Sequence, residues 1–281
     1  LYRAALPGDS IEVARSHKVL ARTLRWTYDH TESIRLYKRS LAIETQILGA
    51  DHVDTLQTLA FLGATQVMAG HFSEAEATLD EAMRHLQAHG EHLNMIAYVR
   101  KTQGALWLHQ GHYDRAKALY ERSLREYQQA DNGDKPIAVY VRHYIALIAR
   151  MRGELDLAER HYRTSVTRVT ERLADDHPFS GWVMADLAEL LIARGARSEA
   201  AELLDRAVGC IDRARAAYAR GLRAVLRLQE DGESPSQLAE LRAAHREMER
   251  TFGAANVYTH ILAGYLDKAV ARSREHSSES R

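Results

Sequence analysis

The 281-residue chain has one cysteine, four prolines and no excess of charge of either sign. Cys210 alone can form no intrachain disulfide and no cysteine pair for zinc, which fits a reducing compartment. With so few prolines and only 16 glycines, long unbroken helices are allowed. Lysine plus arginine and aspartate plus glutamate both number 38, so no net field draws the chain to nucleic acid or to an anionic membrane. No run of 18 apolar residues is present, which argues against a spanning helix. There is no basic-then-apolar leader, no glycine-rich phosphate loop and no His-Glu-x-x-His. These absences exclude the common catalytic signatures. They leave a cytoplasmic protein without cofactor or resident metal as the expectation, and not an enzyme.

What is present is a period. Gly70, Gly111, Gly153 and Gly195 follow one another at 41, 42 and 42 residues. Each opens a similar phrase: Gly70-His71-Phe72-Ser73-Glu74-Ala75, Gly111-His112-Tyr113-Asp114-Arg115-Ala116, Gly153-Glu154-Leu155-Asp156-Leu157-Ala158 and Gly195-Ala196-Arg197-Ser198-Glu199-Ala200. A weaker copy carries Tyr28 in the glycine position and Ser33 in the alanine position. The pattern predicts a helical hairpin. A first helix ends at a glycine in the left-handed conformation. A second helix then starts, with Ser73, Asp114, Asp156 or Ser198 near its N-terminus to cap free amides.

Two helices that approach closely need small side chains where they touch. The first-helix position holds Ala21, Gly63, Gly104, Ala146 and Ala188. The second-helix positions hold Ser33, Ala75, Ala116, Ala158 and Ala200, and then Ser40, Ala82, Ser123, Ser165 and Ala207. All are Ala, Gly or Ser, so the small residues mark the seam of each hairpin.

These residues resemble the tetratricopeptide repeat, most closely in Tyr113, Ala116, Tyr120, Ser123 and Leu124. The longer period, with the phrases Leu48-Gly49-Ala50-Asp51-His52-Val53-Asp54-Thr55 and Leu173-Ala174-Asp175-Asp176-His177-Pro178, is similar to the kinesin-light-chain variety. The resemblance implies an all-α fold, a right-handed superhelical α-solenoid of stacked antiparallel helix pairs. The expected organisation is one solenoid over residues 1–271. Its repeats span 11–48, 53–90, 95–130, 137–173, 179–211 and 212–252, with a capping helix at 255–271 and a disordered tail at 272–281. Residues 1–8 read as the end of a preceding repeat, and the chain as the continuation of a longer one.

In this family the first helices line a concave groove, with ligand contacts within a few positions of the small residue. Carried onto this chain, that implies Arg15, Lys18, Arg22, Arg25 and Trp26 in the first repeat. It implies Tyr98 and Lys101 in the third, Tyr140, His143 and Arg150 in the fourth, and Trp182 in the fifth. A lining of cations and aromatics suits an extended acidic peptide. The family's common asparagine on the first helix is missing, since the three asparagines are Asn94, Asn132 and Asn256.

Other clusters read as structure. His85, His89 and His92, with Glu91 nearby, have ligating side chains, but Gly90 breaks the helix before His92 and an inter-repeat turn is expected. Asp51-His52 and Asp176-His177 recur with the repeat and are expected to cap helices rather than move protons. The partner is therefore expected to be a protein or peptide, or another domain of the same polypeptide. The chain would be an interaction scaffold or the regulatory region of a larger signalling protein.

Overall fold

The computed structural model describes residues 10–89, 92–131, 136–172, 178–210, 213–230, 234–254 and 256–279. Among these, side chains are not described for residues 26, 89, 131, 136, 172, 178, 210, 213–215 and 274–279. The described residues form thirteen α-helices and no strand. They run α1 (Ile11–Trp26), α2 (His30–Leu48), α3 (Val53–Met68), α4 (Phe72–His89), α5 (Leu93–His109), α6 (Tyr113–Asp131) and α7 (Pro136–Met151). There follow α8 (Leu155–Arg172), α9 (Pro178–Ala193), α10 (Arg197–Cys210), α11 (Arg213–Glu230), α12 (Pro235–Phe252) and α13 (Val257–Glu279). Six hairpins thus alternate first and second helices. The last helix runs to Glu279, past Ala271 and through the Ser-rich segment expected to lack structure.

The turns follow the glycines. Gly70, Gly111, Gly153 and Gly195 have φ between 77° and 79°. At each, the amide after the glycine bonds back to a carbonyl five residues earlier: His71 to Gln66, His112 to Trp107, Glu154 to Ala149 and Ala196 to Leu191, all at 2.9 Å. That closure satisfies a carbonyl the helix would leave free. The first hairpin makes the same bond, Asp29 to Leu24 at 3.0 Å. It does so with Tyr28 at φ 65°, the one described non-glycine residue in the left-handed region. The turn geometry is imposed by the hairpin, and the tyrosine bears the strain.

The helix starts follow expectation at His52 and depart from it in the second helices of the later hairpins. Asp29 caps α2 by accepting from the Glu32 amide at 3.1 Å, and His52 caps α3 by accepting from the Asp54 amide at 3.1 Å. Ser73, Asp114, Asp156 and Ser198 instead lie inside the first turns of α4, α6, α8 and α10. Asp156 is drawn to Arg194.

The small residues sit at the seams. A side chain at Gly63 would meet Leu79 at 2.7 Å, and one at Gly104 would meet the Tyr120 ring at 3.2 Å. The serines have a further use. Ser33 donates to the Ala21 carbonyl at 2.7 Å, Ser40 to Ala14 at 2.8 Å and Ser123 to Ala97 at 2.7 Å. Their descending partners show the antiparallel pairing, and the bonds satisfy hydroxyls that are fully buried.

The chain divides into two compact units, Leu1–Val141 and Arg142–Arg281, with the division inside α7. In the first unit Leu56, Leu79, Leu86 and Leu106 share one core with Val99 and Met83, each buried leucine contributing about 2 kcal/mol of apolar transfer. In the second, Leu147, Ile148, Met184 and Leu190 are fully buried.

Candidate functional site

In the first unit the first helices α1, α3 and α5 bring an aromatic and cationic cluster together. Arg25, in the last turn of α1, donates from Nη1 to Tyr98 Oη on α5 at 3.3 Å. Its guanidinium lies 5.5 Å from the Phe61 ring centre on α3. Phe61 meets Tyr98 edge-on at 5.5 Å and Tyr37 of α2 at 6.2 Å. Lys101, one turn beyond Tyr98 on the same face, places Nζ 4.6 Å over the Tyr98 ring. Among the described residues no carboxylate is paired with Lys101.

Electrostatics follow from that arrangement. Burial alone would push the Tyr98 phenol up, but Arg25 and Lys101 together outweigh it and hold it below its usual value. Burial, with Arg25 nearby, lowers the Lys101 ammonium. Burial raises Tyr37 to about 12. The cluster is a half-buried positive region walled by aromatic rings, which favours an anion bearing apolar surface.

The other expected residues of the first helix separate. Arg15 and Arg22 are exposed. Lys18 is turned to α2, where it pairs with buried Glu44 at 3.0 Å, and it lies 3.9 Å from Asp54. The Trp26 side chain lies outside the described residues. Phe61 and Tyr37 were missed. Phe61 stands two residues before Gly63, so the register that selected Tyr98 and Lys101 could have found it.

In the second unit the expected residues meet a different set. His143 on α7 is fully buried, with Nε2 2.9 Å from Asp186 Oδ2 on α9 and 3.4 Å from Tyr258 Oη on α13. Tyr258 donates to Asp186 at 3.1 Å. Arg150 pairs with Glu189, and Tyr265 of α13 donates to Glu189 at 2.8 Å. Trp182 packs against the Tyr258 ring at 5.2 Å. Burial raises Glu189 even though Arg150 opposes it. Burial and the neighbouring carboxylates push Tyr258 and Tyr265 well above the usual phenol range. His143 was expected to line an open groove and is instead covered by α13. Nothing in the spacing of one repeat signals a side chain arriving from the last helix. Tyr140 is half-buried on α7.

The remaining clusters are structural where they are described. His85 pairs with Asp51 at 2.5 Å across the α3–α4 hairpin. The His89 side chain, Glu91, residues 173–177 with His177, residues 1–8 and the Cys210 side chain lie outside the described residues. Among the described residues no three His, Cys, Asp or Glu side chains group as metal ligands. No described helix is long and apolar enough to cross a membrane.

Residues 12–88 and 137–212, more than half of the chain, match the family model described as tetratricopeptide repeat. No curated protein matches the chain. Among solved structures, a putative kinesin light chain with nearly identical TPR-like repeats from Podosopora anserina is 20% identical. It covers 71% of this chain and 95% of its own, with a TM-score of 0.52. BtubC (BKLC) from P. vanneervenii is 17% identical, covering 77% and 90%, at 0.59. The Rap conjugation gene regulator of the plasmid pLS20, solved with the Phr* peptide, is 12% identical, covering 93% and 74%, at 0.68. At such identities the likeness is one of fold.

Proposed function

The chain belongs to the tetratricopeptide-repeat family, and from that premise we propose that it binds an extended acidic peptide along the first-helix face of its first unit. The family fold is that of a protein-interaction scaffold, and a structural neighbour of this chain is solved with a peptide. The observation that carries the finer reading is the Arg25–Tyr98–Lys101 cluster. It concentrates two cations around one phenol, and its ammonium pairs with no described carboxylate. A half-buried cation lacking an acid is costly on its own, and a ligand carboxylate would offset that cost. The rings of Phe61 and Tyr98 would hold an adjacent apolar side chain at little loss of entropy.

In this reading Lys101 and Arg25 hold the carboxylate, Tyr98 and Phe61 hold the neighbouring side chain, and exposed Arg15 and Arg22 steer acidic residues to the face. Lys18, held by Glu44, orders α1 against α2 and contributes little directly. No residue is assigned a chemical step. The reading thus describes a non-catalytic scaffold.

The test is fluorescence anisotropy with a labelled peptide alternating glutamate and phenylalanine. Lys101→Gln should weaken binding by about tenfold, the loss of one charge-assisted contact, and raised salt should weaken it further. Equal affinity of Lys101→Gln and wild type, or affinity independent of salt, would overturn the proposal.

A further inference from the structure

Two lysines hold one place in the repeat and meet different company. Lys18 and Lys101 each lie three residues before the small residue of a first helix, Ala21 and Gly104. The seams match as well. Ser40 donates to the Ala14 carbonyl and Ser123 to that of Ala97, and each carbonyl lies four residues before its lysine. Four residues after those two serines stand Glu44 and Tyr127. In the first hairpin the lysine thus has an acid, the fully buried Glu44, 3.0 Å away. In the third hairpin a buried tyrosine stands in the acid's place.

Among the described residues no other carboxylate takes over that role for Lys101. Glu126, beside Tyr127 on α6, is held by Arg100 and Arg122. Asp80 on α4 accepts from Gln103. The titratable groups that act on Lys101 are Tyr98 of its own helix and Arg25 of α1. Tyr37 of α2 and Tyr127 of α6 stand around Tyr98 in turn. Phe61 of α3 closes the ring wall.

An ammonium held over an aromatic face beside a guanidinium gives up its proton more readily than a solvated one, and a lysine so placed is a nucleophile. Burial and Arg25 both act on Lys101 in that direction. The site lacks an anion where the first hairpin has Glu44. An electrophile suited to it must be small and uncharged to pass between the rings, and must leave a negative charge behind. Carbon dioxide does both.

We propose that Lys101 is a carbon dioxide-binding residue, that its carbamate is held beside Arg25, and that this charge reversal releases the acidic peptide. The release rests on the peptide reading given above, and the carbamate does not. The free amine nitrogen attacks the carbon of carbon dioxide, one C=O electron pair moves to oxygen, and the nitrogen gives a proton to water. Nothing is oxidised or reduced. The addition is spontaneous, reverses when carbon dioxide is withdrawn, and turns over no substrate. It replaces a positive charge by a negative one, so an incoming carboxylate meets repulsion where it met an ammonium.

The test uses the full chain in isotope-labelled bicarbonate. A trialkyloxonium ion converts carbamates to stable esters, which peptide mass spectrometry locates. Lys101 should carry about ten times the label of the exposed Lys38 and Lys268, and unfolding in guanidinium chloride should erase the difference. Arg25→Gln removes the neighbouring cation and should lower the Lys101 label about tenfold. Label at Lys101 no greater than at Lys38, or undiminished in Arg25→Gln, would overturn the proposal. Should Arg25→Gln lose its helical signal, folded and unfolded wild type decide alone. Raised carbon dioxide at fixed pH and ionic strength should weaken wild-type binding of the glutamate–phenylalanine peptide by about tenfold. Lys101→Arg keeps the charge but forms no carbamate, and its affinity should not respond. A labelled Lys101 with peptide affinity unmoved would sink the release. Absence of peptide binding in every chain would remove the scaffold reading alone, with the label still deciding the carbamate.

Discussion

Tyr258, at the start of the last helix, donates its hydroxyl to the buried carboxylate of Asp186, 72 residues earlier in the chain. His143 approaches the same carboxylate oxygen from a third helix, so three elements of the second unit meet at one acid. Removing the hydroxyl leaves the ring packing intact and takes away one of the two groups that approach that oxygen. Tyr258→Phe should therefore lower the stability of the second unit by about 1–3 kcal/mol, the cost of an under-satisfied buried acceptor. Urea denaturation followed by hydrogen exchange in α9 measures it, and an unchanged midpoint would show that the contact contributes nothing.

Tyr28 does a glycine's work in the first turn at φ 65°. Relieving a left-handed side chain is worth about 1 kcal/mol, against a modest edge contact with His30 at 6.1 Å. Tyr28→Gly should thus raise the melting temperature, whereas Gly111→Tyr, at φ 78°, should lower it. Thermal scans of the two variants against wild type decide the matter.

Gly63 offers the opposite case. Alanine there would gain helix propensity, yet its methyl would sit 2.7–2.8 Å from two Leu79 atoms, including the branching carbon Cγ, which is not the free end of a flexible chain. Overpacking should win, and Gly63→Ala should cost about 1 kcal/mol net. The paired variant Gly63→Ala/Leu79→Ala should restore helix register but leave a cavity, so it should not recover wild-type stability in chemical denaturation.

Arg100 and Glu126 pair α5 with α6 at 2.8–2.9 Å, with residue exposures of 6% and 8%. Such a pair adds little over an apolar substitute, but breaking it strands a charge. Glu126→Ala should destabilise the first unit by about 3 kcal/mol. Arg100→Met/Glu126→Leu should recover most of that loss. A double-mutant cycle by urea denaturation separates the two contributions, and equal losses in the single and double variants would contradict the argument.

His109 stacks beside Phe72 at 6.3 Å, and burial lowers its imidazole to about 4. The sign follows from where the proton goes. Unfolded, the ring takes a proton below about pH 6.5. Folded, it stays neutral until about 4. Stability is therefore complete above pH 7 and falls as pH drops from 6.5 toward 4, by about 2 kcal/mol for a ring that keeps some contact with water. His109→Phe should remove this component. The difference between the two chains in folding free energy at pH 7 and pH 5 is the measurement.

The sequence by itself determined the hairpins. Glycines at a fixed interval set where each first helix ends, and small residues set where the helices meet. Both are local consequences of φ and of side-chain volume, so periodicity exposes them. It even marked Tyr28 as the odd turn. It did not supply the use of Ser33, Ser40 and Ser123, whose hydroxyls find carbonyls across the seam.

Which side chains meet across hairpins was decided only in three dimensions. Lys18, Lys101 and His143 all lie three residues before a small residue, and register treats them alike. Lys18 is drawn to Glu44, Lys101 lies over the Tyr98 ring, and His143 faces Asp186 beneath Tyr258. A repeat fixes a residue's direction relative to its own helix. What waits in that direction depends on how neighbouring hairpins stack and on where the last helix comes to rest. Neither is written in any single period.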